Sequence, residues 1–207
     1  MSVTPPFRIL TVCTGNICRS PMVERLLQQG LDLITPGAYI VESAGTGALL
    51  GSAMEPHIEG FVRVLGASAE GFAARQLTPE ILDTQDLVLA LTRKHRSRIV
   101  ELRPALLRKT FTLRELARIL PQVPTPRGAV VAHRWSTAIP LALRARSLQG
   151  HNPEDDDVVD PYRRSDDVYE QMRQQITPAV QVLLDWERQN TQALRPRQHN
   201  ASGTGHH

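Results

Sequence analysis

The chain has 207 residues, of which 41% are hydrophobic and 22% charged, with a formal net charge of +3. That is enough apolar material for one domain with its own core, and too much for a disordered chain. The basic excess is small and no dense Lys/Arg run carries interleaved aromatics, so nucleic-acid binding is not indicated. The two cysteines make no secreted disulfide scaffold, and no apolar run approaches the ~18 residues of a membrane span.

Residues 7–12 are a largely apolar run, predicted as a buried strand. A helix is predicted over 20–33, with Val23, Leu26, Leu27 and Gly30 on its inner side and Pro21 in the first turn, where a missing N–H costs nothing. Residues 39–43 read as a second strand. The Ala44-Gly45-Thr46-Gly47 loop that follows lacks the third glycine and the helix of a dinucleotide fingerprint. A helix over 55–65, a short turn over 79–84 and a strand over 86–91 come next. They are followed by a helix over 94–102, a short strand over 109–112 and a helix over 113–120. Strands alternating with helices imply an α/β fold: a four-stranded parallel sheet with helices on both faces. Ligands in such sheets sit at the carboxyl ends of the strands.

Residues 121–157 read as an insertion, with a Pro-rich connector over 121–128 and a helix over 129–148 interrupted or kinked at Pro140. It is expected to pack on the sheet, and the acidic run 154–157 to be a solvated loop. A long last helix is predicted after a cap at Ser165 or Asp166, with Val168, Met172, Ile176, Val180, Leu183 and Leu184 as its apolar stripe. One domain over 1–189 is expected, followed by a polar, disordered tail over 190–207. Met1 to Pro6 contains no basic segment followed by an apolar stretch, and with so few cysteines a cytoplasmic location is expected.

Between the first strand and the first helix lies Val12-Cys13-Thr14-Gly15-Asn16-Ile17-Cys18-Arg19-Ser20-Pro21. A loop that opens a helix points backbone N–H groups at one spot, and the helix dipole adds positive potential there. Arg19 adds a planar guanidinium suited to two oxygens of one oxyanion. The thiol of Cys13 then stands beneath the bound group. The same donors favour its thiolate, a nucleophile that needs no separate base. The seven histidines, among them His57, His95, His133 and His151, form no ligand pattern. No metal and no cofactor are expected. Residues 93–98 read as an exposed basic helix face.

The loop closely resembles the phosphate-binding loop of the low-molecular-weight protein-tyrosine phosphatases. Ser43-Ala44-Gly45-Thr46, Ala74 to Thr78, Asp86 to His95 and Asp160-Pro161-Tyr162 resemble further stretches of that family, in its order. The resemblance implies hydrolysis of phosphotyrosine in proteins, or of aryl phosphates, through a phosphocysteine. Cys13 is then the nucleophile, Arg19 the phosphoryl-binding residue, and Asp160 the acid and later the base. Asn16 braces the loop and Ser20 supports the thiolate. Thr14, Gly15, Ile17, Cys18 and Tyr162 complete the substrate site. In the family a second cysteine at the place of Cys18 can form a reversible disulfide with the nucleophile. Residues 47–51 depart from the pattern, because no aromatic stands there. Two other readings remain open: arsenate reduction with a small-thiol partner, and a phosphate-binding module without catalysis. The first cannot shuttle a disulfide to distant cysteines, since none follows Cys18.

Overall fold

The computed structural model describes residues 4–124, 129–146 and 152–192. Strand β1, Phe7–Cys13, lies between β2, Tyr39–Gly45, and β3, Leu87–Ala90, while β4, Thr110–Thr112, takes the far edge. The order is β2-β1-β3-β4 and every pairing is parallel, with Cys13 opposite Gly45 and Val12 opposite Ala90. Residue alternation along β1 sends successive side chains to opposite faces. Phe7 and Ile9 join the larger core, which packs under α1 (Arg19–Ile34), α2 (Pro56–Val64), α5 (Leu113–Ile119), α6 (Val131–Arg146) and α7 (Asp166–Gln192). Leu10 and Val12 join a smaller core under α3 (Pro79–Asp83) and α4 (Arg93–Leu102). The expected sheet, with helices on both faces, is therefore present.

After β1 the chain turns through α1 to β2 on one side, while β3 flanks β1 on the other. The β1–α1 loop thus sits at the point where the sheet order reverses, the usual crevice for a ligand. Helix α1 is held against α7 at close range: a Cβ on Gly30 would run into the Leu184 side chain.

Helix α6 packs on the fold at the end remote from Cys13. Its buried Trp135 stacks on Phe7, the first residue of β1, with ring centroids 5.5 Å apart, and its indole N–H donates to Tyr39 Oη at 2.9 Å. Helix α6 therefore does not cover the β1–α1 loop. The expected end of this helix, and the start of the loop after it, fall outside the described residues.

Three expectations are corrected. The acidic run 154–157 is not simply solvated: Asp156 is buried against Arg118, and Asp157 accepts from the Arg93 backbone N–H at 2.7 Å. The 93–98 stretch is not a free basic face either, because Arg93 pairs with Asp157, Arg96 pairs with Glu115, and His95 is buried. Helix α7 extends to Gln192, into the stretch expected to be tail, because Asn190 is buried and its amide donates to the Trp186 carbonyl at 2.7 Å. The remainder of that tail lies outside the described residues.

Candidate active site

The loop after β1 is shaped from behind. Thr46 N–H donates to Cys13 O at 2.9 Å, Gly47 to Thr14 O at 3.1 Å, Leu49 to Gly15 O at 3.0 Å and Glu55 to Ile17 O at 3.0 Å. Four loop carbonyls are thus turned outward onto residues 46–55, which leaves the loop amides for the inner side. Among the described residues no protein group accepts from the backbone N–H of Gly15, Asn16, Ile17 or Cys18, and no side chain caps the start of α1. Buried N–H groups are seldom left unpaired in proteins, so a cradle of them points to an anion. Gly45 is required for this packing, since a Cβ there would run into the Thr14 carbonyl.

Asn16 locks the loop from inside. It adopts φ +56°, which Asn tolerates better than most residues. Its amide donates to Ser20 Oγ at 2.9 Å and to Ser43 Oγ at 2.8 Å, and its carbonyl accepts from Arg75 N–H at 2.9 Å. The Ser43 hydroxyl donates in turn to Glu24, whose carboxyl pKa is pushed up by burial. Ser20 Oγ already accepts from Asn16, so its proton is available to the Cys13 sulfur 3.0 Å away.

Arg19 is buried, and its guanidinium meets Asp160 Oδ2 at 2.6 Å, although the Asp160 side chain is 54% exposed. Its Nε is buried and has no hydrogen-bond partner among the described residues. The Asp160 segment is tied to the sheet by Val158 N–H, which donates to Leu91 O beyond β3 at 2.9 Å.

These groups border a cavity of about 150 Å³ lined by Cys13, Thr14, Gly15, Ile17, Cys18, Arg19, Gly47, Leu49, Asp160 and Tyr162. All the sequence-predicted residues come together here. Asn16 and Ser20 lie behind the wall and act on the loop rather than facing a ligand. Cys13 and Cys18 are both free and buried. Burial first, then Cys13, Glu55 and Asp160, push the Cys18 thiol up to about 12 against the pull of Arg19. Cys18 therefore stays protonated at neutral pH and is no rival nucleophile.

The sequence reading missed the bracing by residues 46–55, the part of Arg75 and Glu24, and His95, whose ring touches Thr14. Thr46, Arg75 and His95 lie in stretches singled out by resemblance, which was their one signal; Glu24 had none. Among the described residues no cluster of His, Cys, Asp or Glu has a metal-binding arrangement, and no helix is long and apolar enough to cross a membrane.

A thiol at the base of an amide cradle, at the carboxyl end of a parallel strand and beside a buried arginine, defines a hydrolase of the cysteine-nucleophile phosphatase type. The profile of the family described as low molecular weight phosphotyrosine protein phosphatase matches residues 8–122. The low molecular weight protein-tyrosine-phosphatase Wzb of Escherichia coli K12 is 31% identical over 191 residues, covering 92% of this chain and 97% of that protein. A protein-arginine-phosphatase of Geobacillus stearothermophilus is 42% identical over 110 residues, covering 53% of this chain and 71% of that protein. Among solved structures, the YwlE arginine phosphatase of Geobacillus stearothermophilus superposes with a TM-score of 0.63 at 29% identity, over 87% of this chain and 92% of that one. The chain belongs to the low molecular weight phosphotyrosine protein phosphatase family.

Proposed function

We propose that the protein hydrolyses phosphotyrosine in proteins, and aryl phosphate monoesters generally, by two in-line displacements at Cys13. The thiolate attacks phosphorus, and the Sγ–P bond forms as the bond to the aryl oxygen breaks. The loop amides and Arg19 neutralise the equatorial oxygens, while Asp160 protonates the departing phenolate. Water then attacks the phosphocysteine and gives its proton to Asp160. Inorganic phosphate leaves, and the Ser20 hydroxyl supports the returning thiolate. Every step uses side chains and backbone of this chain, with no metal or cofactor.

The observation that carries this reading is the convergence of Cys13, Arg19 and Asp160 on one small cavity. The aryl preference rests on the wall. Ile17, Leu49 and Tyr162 offer apolar surface to a flat ring, and Asp160 is the single carboxylate among the described lining residues. A phosphoarginine side chain keeps a guanidinium, for which this wall offers one carboxylate, Asp160, already paired with Arg19. It is the second reading because of the 42% identity to the protein-arginine-phosphatase.

Turnover compared on phosphotyrosine, phosphoarginine and phosphoserine peptides, and on arsenate with a small thiol, tests the assignment. Phosphotyrosine is expected to give the highest kcat/KM. A preference for phosphoarginine or for arsenate overturns the substrate assignment, and no turnover of any of them leaves a binding module.

A further inference from the structure

His95 lies on α4, outside the loop, and none of the steps above uses it. It is 5% exposed, and its ring spans two hydroxyls. Nδ1 is 2.9 Å from Thr92 Oγ1, and Nε2 is 2.9 Å from Thr14 Oγ1. Thr92 caps α4 by accepting from the His95 backbone N–H at 3.2 Å. Thr14 directly follows the nucleophile and borders the cavity.

A neutral imidazole has one N–H and one bare nitrogen, so two proton arrangements fit. With the proton on Nδ1, Thr92 Oγ1 takes two donors and its own proton finds no acceptor among the described residues. Thr14 must then give its proton to Nε2. With the proton on Nε2, Thr92 returns its proton to Nδ1 and Thr14 Oγ1 accepts from Nε2. Every donor of the Thr92–His95 pair is then used, as buried polar groups require. The spare proton belongs to Thr14, on the wall where the loop amides and Arg19 already gather donors.

Charge agrees with a neutral ring. Burial acts first, and then Arg19 of α1, to hold His95 well below the usual histidine range; Lys94 on its own helix adds to this. Asp160 and Asp157 pull the other way.

We infer that His95 is a positioning residue: its Nε2–H holds the Thr14 side chain so that the Thr14 hydroxyl donates to the oxyanion bound above Cys13. This rests on the phosphatase reading for what the oxyanion is, and on the geometry for the bond itself.

Thr14→Val removes the hydroxyl but keeps its shape, His95→Leu removes both ring nitrogens, and His95→Gln offers an amide N–H near Nε2. With p-nitrophenyl phosphate, Thr14→Val and His95→Leu are each expected to raise KM about tenfold, with a smaller change in kcat. Inhibition by inorganic phosphate weakens to match. The double variant is expected to be no worse than either single one, and His95→Gln to recover most of the loss.

Unchanged kinetics in Thr14→Val, additive penalties, or a loss in His95→Leu that glutamine does not rescue would overturn the inference. If His95→Leu does not fold, Thr14→Val and His95→Gln decide the matter alone, since Thr14 is exposed. A wild-type protein inert toward p-nitrophenyl phosphate would sink the phosphatase reading. The affinity for inorganic phosphate, measured by calorimetry across the same variants, would still test the Thr14–His95 bond.

Discussion

The two halves of the site are built differently. The thiol half is buried and over-determined: the Asn16 amide donates to both Ser20 and Ser43, and residues 46–55 hold four loop carbonyls from behind. The acid half is half-exposed. Asp160 is held by Arg19 and by the Tyr162 backbone N–H at 3.2 Å. The first half is held rigidly before any ligand arrives, the condition for donors that need no rearrangement. The second is secured through the Arg19 guanidinium, to which the proposed mechanism also assigns the phosphoryl group, so under that proposal an incoming substrate competes with the Arg19–Asp160 pair.

Cys13→Ser puts the largest strain on this contrast. Turnover of p-nitrophenyl phosphate should fall by ~10⁴-fold or more, with phosphate binding retained because the amide cradle is untouched. Loss of binding as well would mean that the cradle depends on the thiol.

Asp160→Asn comes next. Loss of a positioned acid should cost roughly 10²–10⁴-fold on phenyl phosphate and much less on p-nitrophenyl phosphate, whose leaving group needs little protonation. Equal losses on both would remove Asp160 from the acid role.

Asn16→Ala tests the rigid half. It leaves two serine hydroxyls and the Arg75 N–H short of a partner and places Ala at positive φ. Stability is expected to drop by about 2–4 kcal/mol in denaturant titration. A drop within experimental error would show that the loop is held from behind alone.

The smallest effect is on pH dependence. The His95 ring is pushed down to about 4 in the folded chain, by burial and then by Arg19, against an ordinary value of 6.5. Between these values the unfolded chain binds more protons than the folded one. The stability tied to neutral His95 is therefore complete above about pH 6.5 and is lost as pH falls to about 4, by at most ~3 kcal/mol. His95→Gln should flatten the unfolding free energy over that window; an unaltered slope would place the acid sensitivity elsewhere.

Much of this was legible in the chain. Apolar runs at 7–12 and 86–91 and the stripe from Met172 to Leu184 located strands and helix to within a few residues, because burial imposes a period that composition displays. Cys13, Arg19, Asn16 and Ser20 were legible because they fall within eight residues of one another, and Asp160 through its Asp-Pro-Tyr context. His95 was not, because it meets Thr14 across 81 residues through a short polar bond that leaves no periodic trace. Asp156 and Asp157 read as solvated acids until Arg118 and Arg93 were placed beside them.

The chain alone thus determined the parallel sheet and the strand–loop–helix junction that places Cys13 at its base, since these follow from local order: strand, turn, helix and the residues at their junction. Tertiary structure decided the rest. It turned the loop carbonyls outward onto residues 46–55, set Asp160 against Arg19, and sent α6 to the far end of the sheet. Each of these depends on which distant segments meet, and a sequence records the donors and charges of such a meeting without recording the pairing.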